Sequence, residues 1–359
     1  MDNKAMRRIL ALVIILALFP AAALAQDTAE AAPLPAAYSM SGFQHIPQMW
    51  NNCGPATLTM GLTYFGYESD QKIAANWLKP NTNDGNVSPW QMVEYVNTQL
   101  PGTTRAITRA GGDIQLLKSL IANNFPVLIE SGYDPEPERL GWMGHYLLLV
   151  AYDDNLGAFN SYDSYLGPNV SYTYDHVNEF WAHFNRTYIV LYDFSREAEV
   201  LALLGDNVDL TQNALNALEI TRNDALANAN DPFAWFNIGT NYVALAAYDP
   251  QAYEYAAVAY DEARKLQLPY RITWYEFGMF EAYNAVGRYQ DVIELARTTL
   301  DQGGTAEQIE EIYYYAGLAR QALGERDRAL TNFNTALEKN PNFTPAAVAR
   351  DALLAAAGG

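Results

Sequence analysis

The chain carries two different hydrophobic periods. Between residues 41 and 193, short apolar runs alternate with breaks rich in Gly, Pro and Asn. From 197 to 356, apolar residues recur every three or four positions, with many Ala, Tyr and Leu. The first stretch predicts mixed helix and strand and the second predicts helix almost throughout, with a boundary near Ser195. In the first stretch, Gly54 to Phe65 has helical spacing. Ser88-Pro89 is an N-cap with a favoured first-turn proline, and Asp113 caps a helix running to about Asn123. Thr103–Arg109, Val127–Ser131, His145–Tyr152, Ala158–Tyr162 and Thr187–Tyr192 are short and rich in β-branched or aromatic residues, and predict strands. Helices that come before strands point to an α+β domain with an antiparallel sheet rather than a doubly wound parallel one.

The helical half repeats itself. Trp235-xx-Ile238-Gly239-xx-Tyr242, Trp274-xx-Phe277-Gly278 and Tyr313-xx-Ala316-Gly317 place aromatic, apolar and glycine residues in register. The last unit continues with Gly324, Ala329, Phe333, Ala336 and Pro341. This pattern resembles the tetratricopeptide family over roughly residues 197–345, most closely in the last unit. The glycines at 239, 278 and 317 are spaced more widely than the family's period, so Asp249-Pro250 and Gly303-Gly304 are where insertions are expected. A helix of residues 210–229, ending at Asp231-Pro232, reads as half of an earlier unit. Small residues at the three glycines would let paired helices approach closely. The tyrosines at 253–260 and 313–315 fit either inter-helix packing or a concave face for peptides.

Three basic side chains, Lys4, Arg7 and Arg8, precede an apolar run from Ile9 to Phe19, and Ala23-Leu24-Ala25 is a small-residue cleavage pattern. Residues 1–25 therefore read as a signal peptide, with an uncleaved membrane anchor as the alternative. The Ala- and Pro-rich residues 26–40 read as a flexible spacer. The expected location is outside the cytoplasm, secreted or held at a membrane only by the N-terminal segment. The formal charge of −19 excludes nucleic acid as a default partner. It suits solubility, and it would also attract basic peptides.

Charge and export sharpen the meaning of the single cysteine. An exported chain ordinarily pairs its cysteines, so a lone thiol is buried, intermolecular or reactive. Cys53 stands in Gln48-Met49-Trp50-Asn51-Asn52-Cys53-Gly54-Pro55-Ala56, at the start of the first helix. Unpaired amides and the helix dipole there favour a thiolate. His145 heads the apolar strand Gly144-His145-Tyr146-Leu147-Leu148-Leu149-Val150, and Asp163 ends the next strand, placed to hold the imidazole. Asp153 and Asp154 are competitors for that role.

In these motifs, NNCGPA, then GHYLLLVAYDD, then YDSYLG, residues 41–194 resemble the papain-like family of bacteriocin-processing, double-glycine leader peptidases, in its stand-alone form. The resemblance implies a papain-like fold and a thiol peptidase with Cys53 as nucleophile, His145 as base and Asp163 as orienter. It also implies an oxyanion held by the Cys53 amide and an upstream glutamine. Here the sequence departs from the family, whose glutamine lies six residues before the cysteine. Gln48 is five before and is the first choice, with Asn52 and Gln44 as alternatives.

Other features are weaker. His176 and His183, with Glu179 between them, lack a full ligand shell, and Asn81–Asn86 reads as a turn rather than a calcium loop, so neither metal nor cofactor is expected. Gly132–Met143 reads either as the rim of a substrate cleft or as a solvated hairpin loop. The expected partner is a peptide or protein substrate, with a further protein on the helical repeats. Two alternatives stay open: a non-catalytic peptide-binding scaffold, and transglutaminase-like amide transfer by the same three residues.

Overall fold

The computed structural model describes residues 33–68, 70–133 and 141–356. Seven strands form one sheet in which every neighbouring pair is antiparallel: β1 (Ala37–Ser39), β2 (Thr104–Arg109), β3 (Val127–Tyr133), β4 (Met143–Asp153), β5 (Ala158–Asp163), β6 (Gly167–Thr173) and β7 (Tyr188–Asp193). The spatial order is β2-β7-β3-β4-β5-β6, and β1 pairs with the end of β4 that β3 leaves uncovered. The antiparallel sheet expected from the sequence is present, and all five predicted strands lie within it. Two strands escaped prediction. β6 is Gly-Pro-Asn-rich, and β1 falls inside the expected flexible spacer 26–40. There Met40 N–H donates to Val150 O and Tyr152 Oη donates to Pro35 O, so the fold begins before Ser41.

Alternation along the strands divides their side chains between two cores. Leu128, Tyr146, Leu148, Val150, Ile189 and Leu191 face α1 (Cys53–Thr63), α2 (Gln71–Leu78) and α3 (Pro89–Gln99). Val127, Ile129, Leu147, Leu149, Tyr188 and Val190 face α4 (Ile114–Ala122), α5 (Tyr174–Ala182) and α6 (Glu197–Leu204). Cover on both faces explains why β4 reads as an unbroken apolar run instead of an alternating one. It also corrects the expectation that the helices precede the sheet, because α5 lies between β6 and β7.

Helix α1 is buried from Gly54 to Thr63. Gly61 allows this close approach, since a Cβ there would stand 2.7 Å from Leu191 Cδ1. Helix α3 starts as predicted, with a reciprocal capping box between Ser88 and Gln91 and Pro89 in its first turn.

The rest of the described chain is helical: α7 (Leu210–Ala227), α8 (Pro232–Leu245), α9 (Ala252–Lys265), α10 (Ile272–Tyr275), α11 (Gly278–Ala285), α12 (Tyr289–Leu300), α13 (Glu310–Ala322), α14 (Arg326–Lys339) and α15 (Thr344–Ala355). Consecutive long helices pack on one another. The repeated glycines lie at these contacts. A Cβ on Gly239 would meet the Tyr260 ring at 2.7 Å, and one on Gly317 would meet Phe333 at 2.5 Å. Tyr260 is fully buried, Tyr253 bonds Glu281, and Tyr315 stacks on Phe277 and Phe280, so these tyrosines serve packing.

The helical region docks along the sheet domain through polar contacts. Asn241 and Asn185 exchange side-chain amide bonds, Arg186 pairs with Asp224, and Asn340 Nδ2 donates to Leu78 O. Asn51 Nδ2 donates to Thr305 Oγ1, which brings the docked surface next to Cys53.

Candidate active site

The turn before α1 sets the position of the thiol. Asn51 adopts φ 52°, a left-handed conformation that asparagine tolerates better than most residues, and Asn52 N–H closes the turn on Met49 O. Gln71, buried at the start of α2, pins this turn. Its Oε1 accepts from Met49 N–H at 3.0 Å and Asn52 Nδ2 at 2.5 Å, and its Nε2 donates to Pro47 O at 2.7 Å. Lys79 Nζ donates to Asn51 O at 2.9 Å. Cys53 is thereby held half-buried as the first residue of α1, where backbone amides lack intrahelical acceptors.

Strand register brings the other two groups together. Leu147 of β4 faces Asp163 of β5, so His145, two residues back, lies on the same face and within diagonal reach of Asp163. His145 Nε2 is 3.0 Å from Asp163 Oδ1, and the ring also hydrogen-bonds the Cys53 thiol. With Nε2 engaged by the carboxylate, the nitrogen facing sulfur is Nδ1. Asp163 is fully buried and accepts three further bonds: Tyr165 N–H at 2.7 Å, Leu166 N–H at 3.1 Å and Tyr172 Oη at 2.7 Å.

These contacts set the charges. Burial opposes ionisation of Asp163, but the His145 hydrogen bond and charge, with Tyr172 and the Tyr165 amide, hold its pKa down at about 2. Burial would likewise neutralise His145, yet its bonds to Asp163 and Cys53 raise it to about 10. Cys53 also pays for burial, and is nevertheless lowered by the His145 hydrogen bond and charge, the Tyr146 backbone amide and the Lys79 cation. The arrangement favours a thiolate–imidazolium pair at a helix start, a combination suited to nucleophilic attack followed by proton return.

The candidates for oxyanion donor separate clearly. Gln48 is half-buried, its Oε1 accepts from Ser164 Oγ at 2.9 Å, and its backbone N–H donates to Ser164 O. This tether beside Asp163 leaves Gln48 Nε2 without a partner among the described residues. Asn52 spends its amide on Gln71, and Gln44 is exposed. Asp154 pairs instead with Lys118 and Tyr174, and Asp153 Oδ1 accepts from Asn155 N–H.

His183 stacks on Phe233 at 3.8 Å and accepts from Trp142 Nε1, and His176 stacks on Tyr172, so both are packing residues. Among the described residues no group is arranged to hold a metal ion. The Asn81–Asn86 turn buries Asp84 against Glu310 and Glu311 of the helical region, and all three carboxyls are raised by burial. In the Gly132–Met143 segment, residues 134–140 lie outside the described residues. Trp142 is not solvated there, because it stacks on Phe184 and packs against Phe233 and Tyr275.

Gln71, Lys79, Ser164 and Tyr172 went unnoticed in the sequence. Nothing in their local pattern marks them. Only the spacing of Tyr172, on an unforeseen strand opposite Phe159, could have drawn attention to it.

Residues 40–192 match the model of the Peptidase_C39 like family. No curated protein matches the chain. Among solved structures, a Bacillus anthracis protein named as a C39-like peptidase is 16% identical, with 44% of this chain and 98% of that one covered and a TM-score of 0.35. The MamA RS-1 ArsTM double mutant is 18% identical, with 36% of this chain and 67% of that one covered and a TM-score of 0.30. Both structural likenesses are too low to bear on function. By its family match, the segment from residue 40 to residue 192 is similar to the Peptidase_C39 like family, and an all-helical region follows it.

Proposed function

We propose that the chain is a cysteine peptidase acting outside the cytoplasm, whose helical region holds a protein substrate or partner. The observation that carries this reading is the His145 ring, bonded on one side to Cys53 and on the other to buried Asp163. The Cys53 sulfur attacks the scissile carbonyl carbon, forming the C–S bond. The oxyanion rests on the Cys53 N–H and Gln48 Nε2. His145 gives its proton to the departing nitrogen as the C–N bond breaks, leaving a thioester. It then takes a proton from water, the new C–O bond forms, and sulfur departs.

Exposed Met49, Trp50, Tyr165 and Leu166 flank these groups in sequence and suit an extended apolar peptide. Export rests on the basic-then-apolar leader in residues 1–25, which lie outside the described residues. No helix of the described residues is long and apolar enough to cross a membrane.

The test is labelling with a peptidyl epoxide probe, together with a cleavage assay on an unfolded protein substrate. Labelling and cleavage in the parent, both lost in Cys53→Ala, support the reading. An unlabelled parent that binds peptides without cutting them would leave only the scaffold.

A further inference from the structure

The head of β4, which carries His145, is held by a neighbouring strand along one edge only. Its pairing with β3 runs out to Met143, opposite Tyr133, but its pairing with β5 begins only at Leu147, two residues past His145. A strand end supported in this way opens more readily than the middle of the strand. Helix α10 of the helical region closes on this end. Arg271, which precedes its first residue, and Tyr275, its last, are four apart and so point to one side. Arg271 Nη1 donates to Trp142 O at 3.2 Å and to Gly141 O at 3.4 Å. The Tyr275 ring lies against Gly144, where a Cβ would stand 3.2 Å from its Cδ1 and Cε1 and 2.9 Å from Phe184 Cζ. Only glycine at this position, next to His145, admits so close an approach.

Helix α10 has backing of its own. Ile272 and Thr273 are buried, Thr273 Oγ1 accepts from Thr299 Oγ1 of α12 at 3.0 Å, and Trp274 Nε1 donates to Gln302 Oε1 just past α12. Three residues further on, Thr305 Oγ1 accepts the Asn51 Nδ2 bond of the turn that presents Cys53. One part of the helical region therefore touches the chain beside both members of the thiol–imidazole pair. We propose that α10 is a positioning clamp for His145, gripping the Gly141–Gly144 segment through Arg271 and Tyr275, so that the helical region is part of the catalytic unit. The clamp fixes the distance of the ring from sulfur. A small displacement there weakens proton transfer and removes the nearby charge that keeps the thiol ionised.

This inference rests on the Cys53–His145 chemistry of the peptidase reading, and the test separates the two. The pH dependence of Cys53 alkylation by iodoacetamide is measured for the parent, Tyr275→Ala, Tyr275→Phe, Arg271→Met and Asp224→Asn, beside steady-state cleavage of an unfolded protein substrate. Tyr275→Ala and Arg271→Met should move the rise in alkylation upward by about one pH unit and lower kcat with KM little changed. Tyr275→Phe keeps the ring and should recover most of the parent profile. Asp224→Asn loosens a different docking contact, with Arg186, and should leave the rise in place. A parent profile in Arg271→Met or in a folded Tyr275→Ala, no recovery in Tyr275→Phe, or an equal shift in Asp224→Asn overturns the clamp. Arg271→Met, which keeps the apolar stem of the side chain, decides the matter if Tyr275→Ala does not fold. An ordinary thiol profile in the parent overturns the Cys53–His145 pair and the clamp with it. A depressed profile without cleavage defeats the peptidase reading alone and leaves the clamp standing.

Discussion

Nε2 of His145 stands 3.0 Å from Oδ1 of Asp163, on adjacent antiparallel strands and with the carboxylate removed from water. Asp163 acts through the imidazole, and its removal should reduce peptide cleavage by about 100-fold, the lower range for a disturbed acid–base group. Asp163→Asn keeps an acceptor for the Tyr165 and Leu166 amides and should lose less than Asp163→Ala. Steady-state rates of the two variants check this. Equal activity in Asp163→Ala and the parent would contradict it.

The same pair makes stability depend on pH. Asp163 falls from 3.8 to about 2 in the fold, so its contribution is present above 3.8 and disappears as pH drops toward 2. His145 rises from 6.5 to about 10, so its contribution is full below 6.5 and is lost as pH climbs toward 10. The gap in melting temperature between the parent and Asp163→Ala should therefore be widest between about pH 4 and 6.5 and narrow on both sides. A gap constant from pH 2 to 10 would count against the pair.

Gln71 touches no reacting group, yet it holds the turn that presents Cys53. Gln71→Leu leaves Pro47 O, Met49 N–H and Asn52 Nδ2 without their partner, at about 3 kcal/mol for three such bonds. Urea unfolding should show that loss, accompanied by slower alkylation of Cys53. Gln44→Leu, at an exposed position, should show neither.

Gly317→Ala sets two effects against each other. Helix propensity favours alanine by up to about 1 kcal/mol, but the new Cβ would press on the fully buried ring of Phe333. Overpacking of this kind costs about 1–3 kcal/mol, so the variant should be less stable. A raised melting temperature would show that the helices can separate at no cost.

How much of this was legible follows from the range of each interaction. Cys53, His145 and Asp163 each carry a local signal: a helix start after a turn, the head of an apolar strand, and the end of the next strand. The Ser88–Gln91 capping box and the Asp113 cap are likewise short-range. β6 was missed because its pairing with β5 overrides a Gly-Pro-Asn composition that favours turns. Lys79 and Gln71 were invisible because their roles depend on tertiary approach. Lys79 meets Asn51 across 28 residues, and Gln71 meets Asn52 only because α2 folds back against the turn before α1. No periodicity encodes such meetings.

The account depends on Cys53 being ionised by His145 in the resting protein, and the pH dependence of its alkylation by iodoacetamide tests this directly. The rate should rise at a pH below the ordinary thiol range near 8.5, and His145→Ala should move the rise upward. A parent rate that stays low and climbs only above pH 8.5, with His145→Ala tracing the same curve, would contradict it.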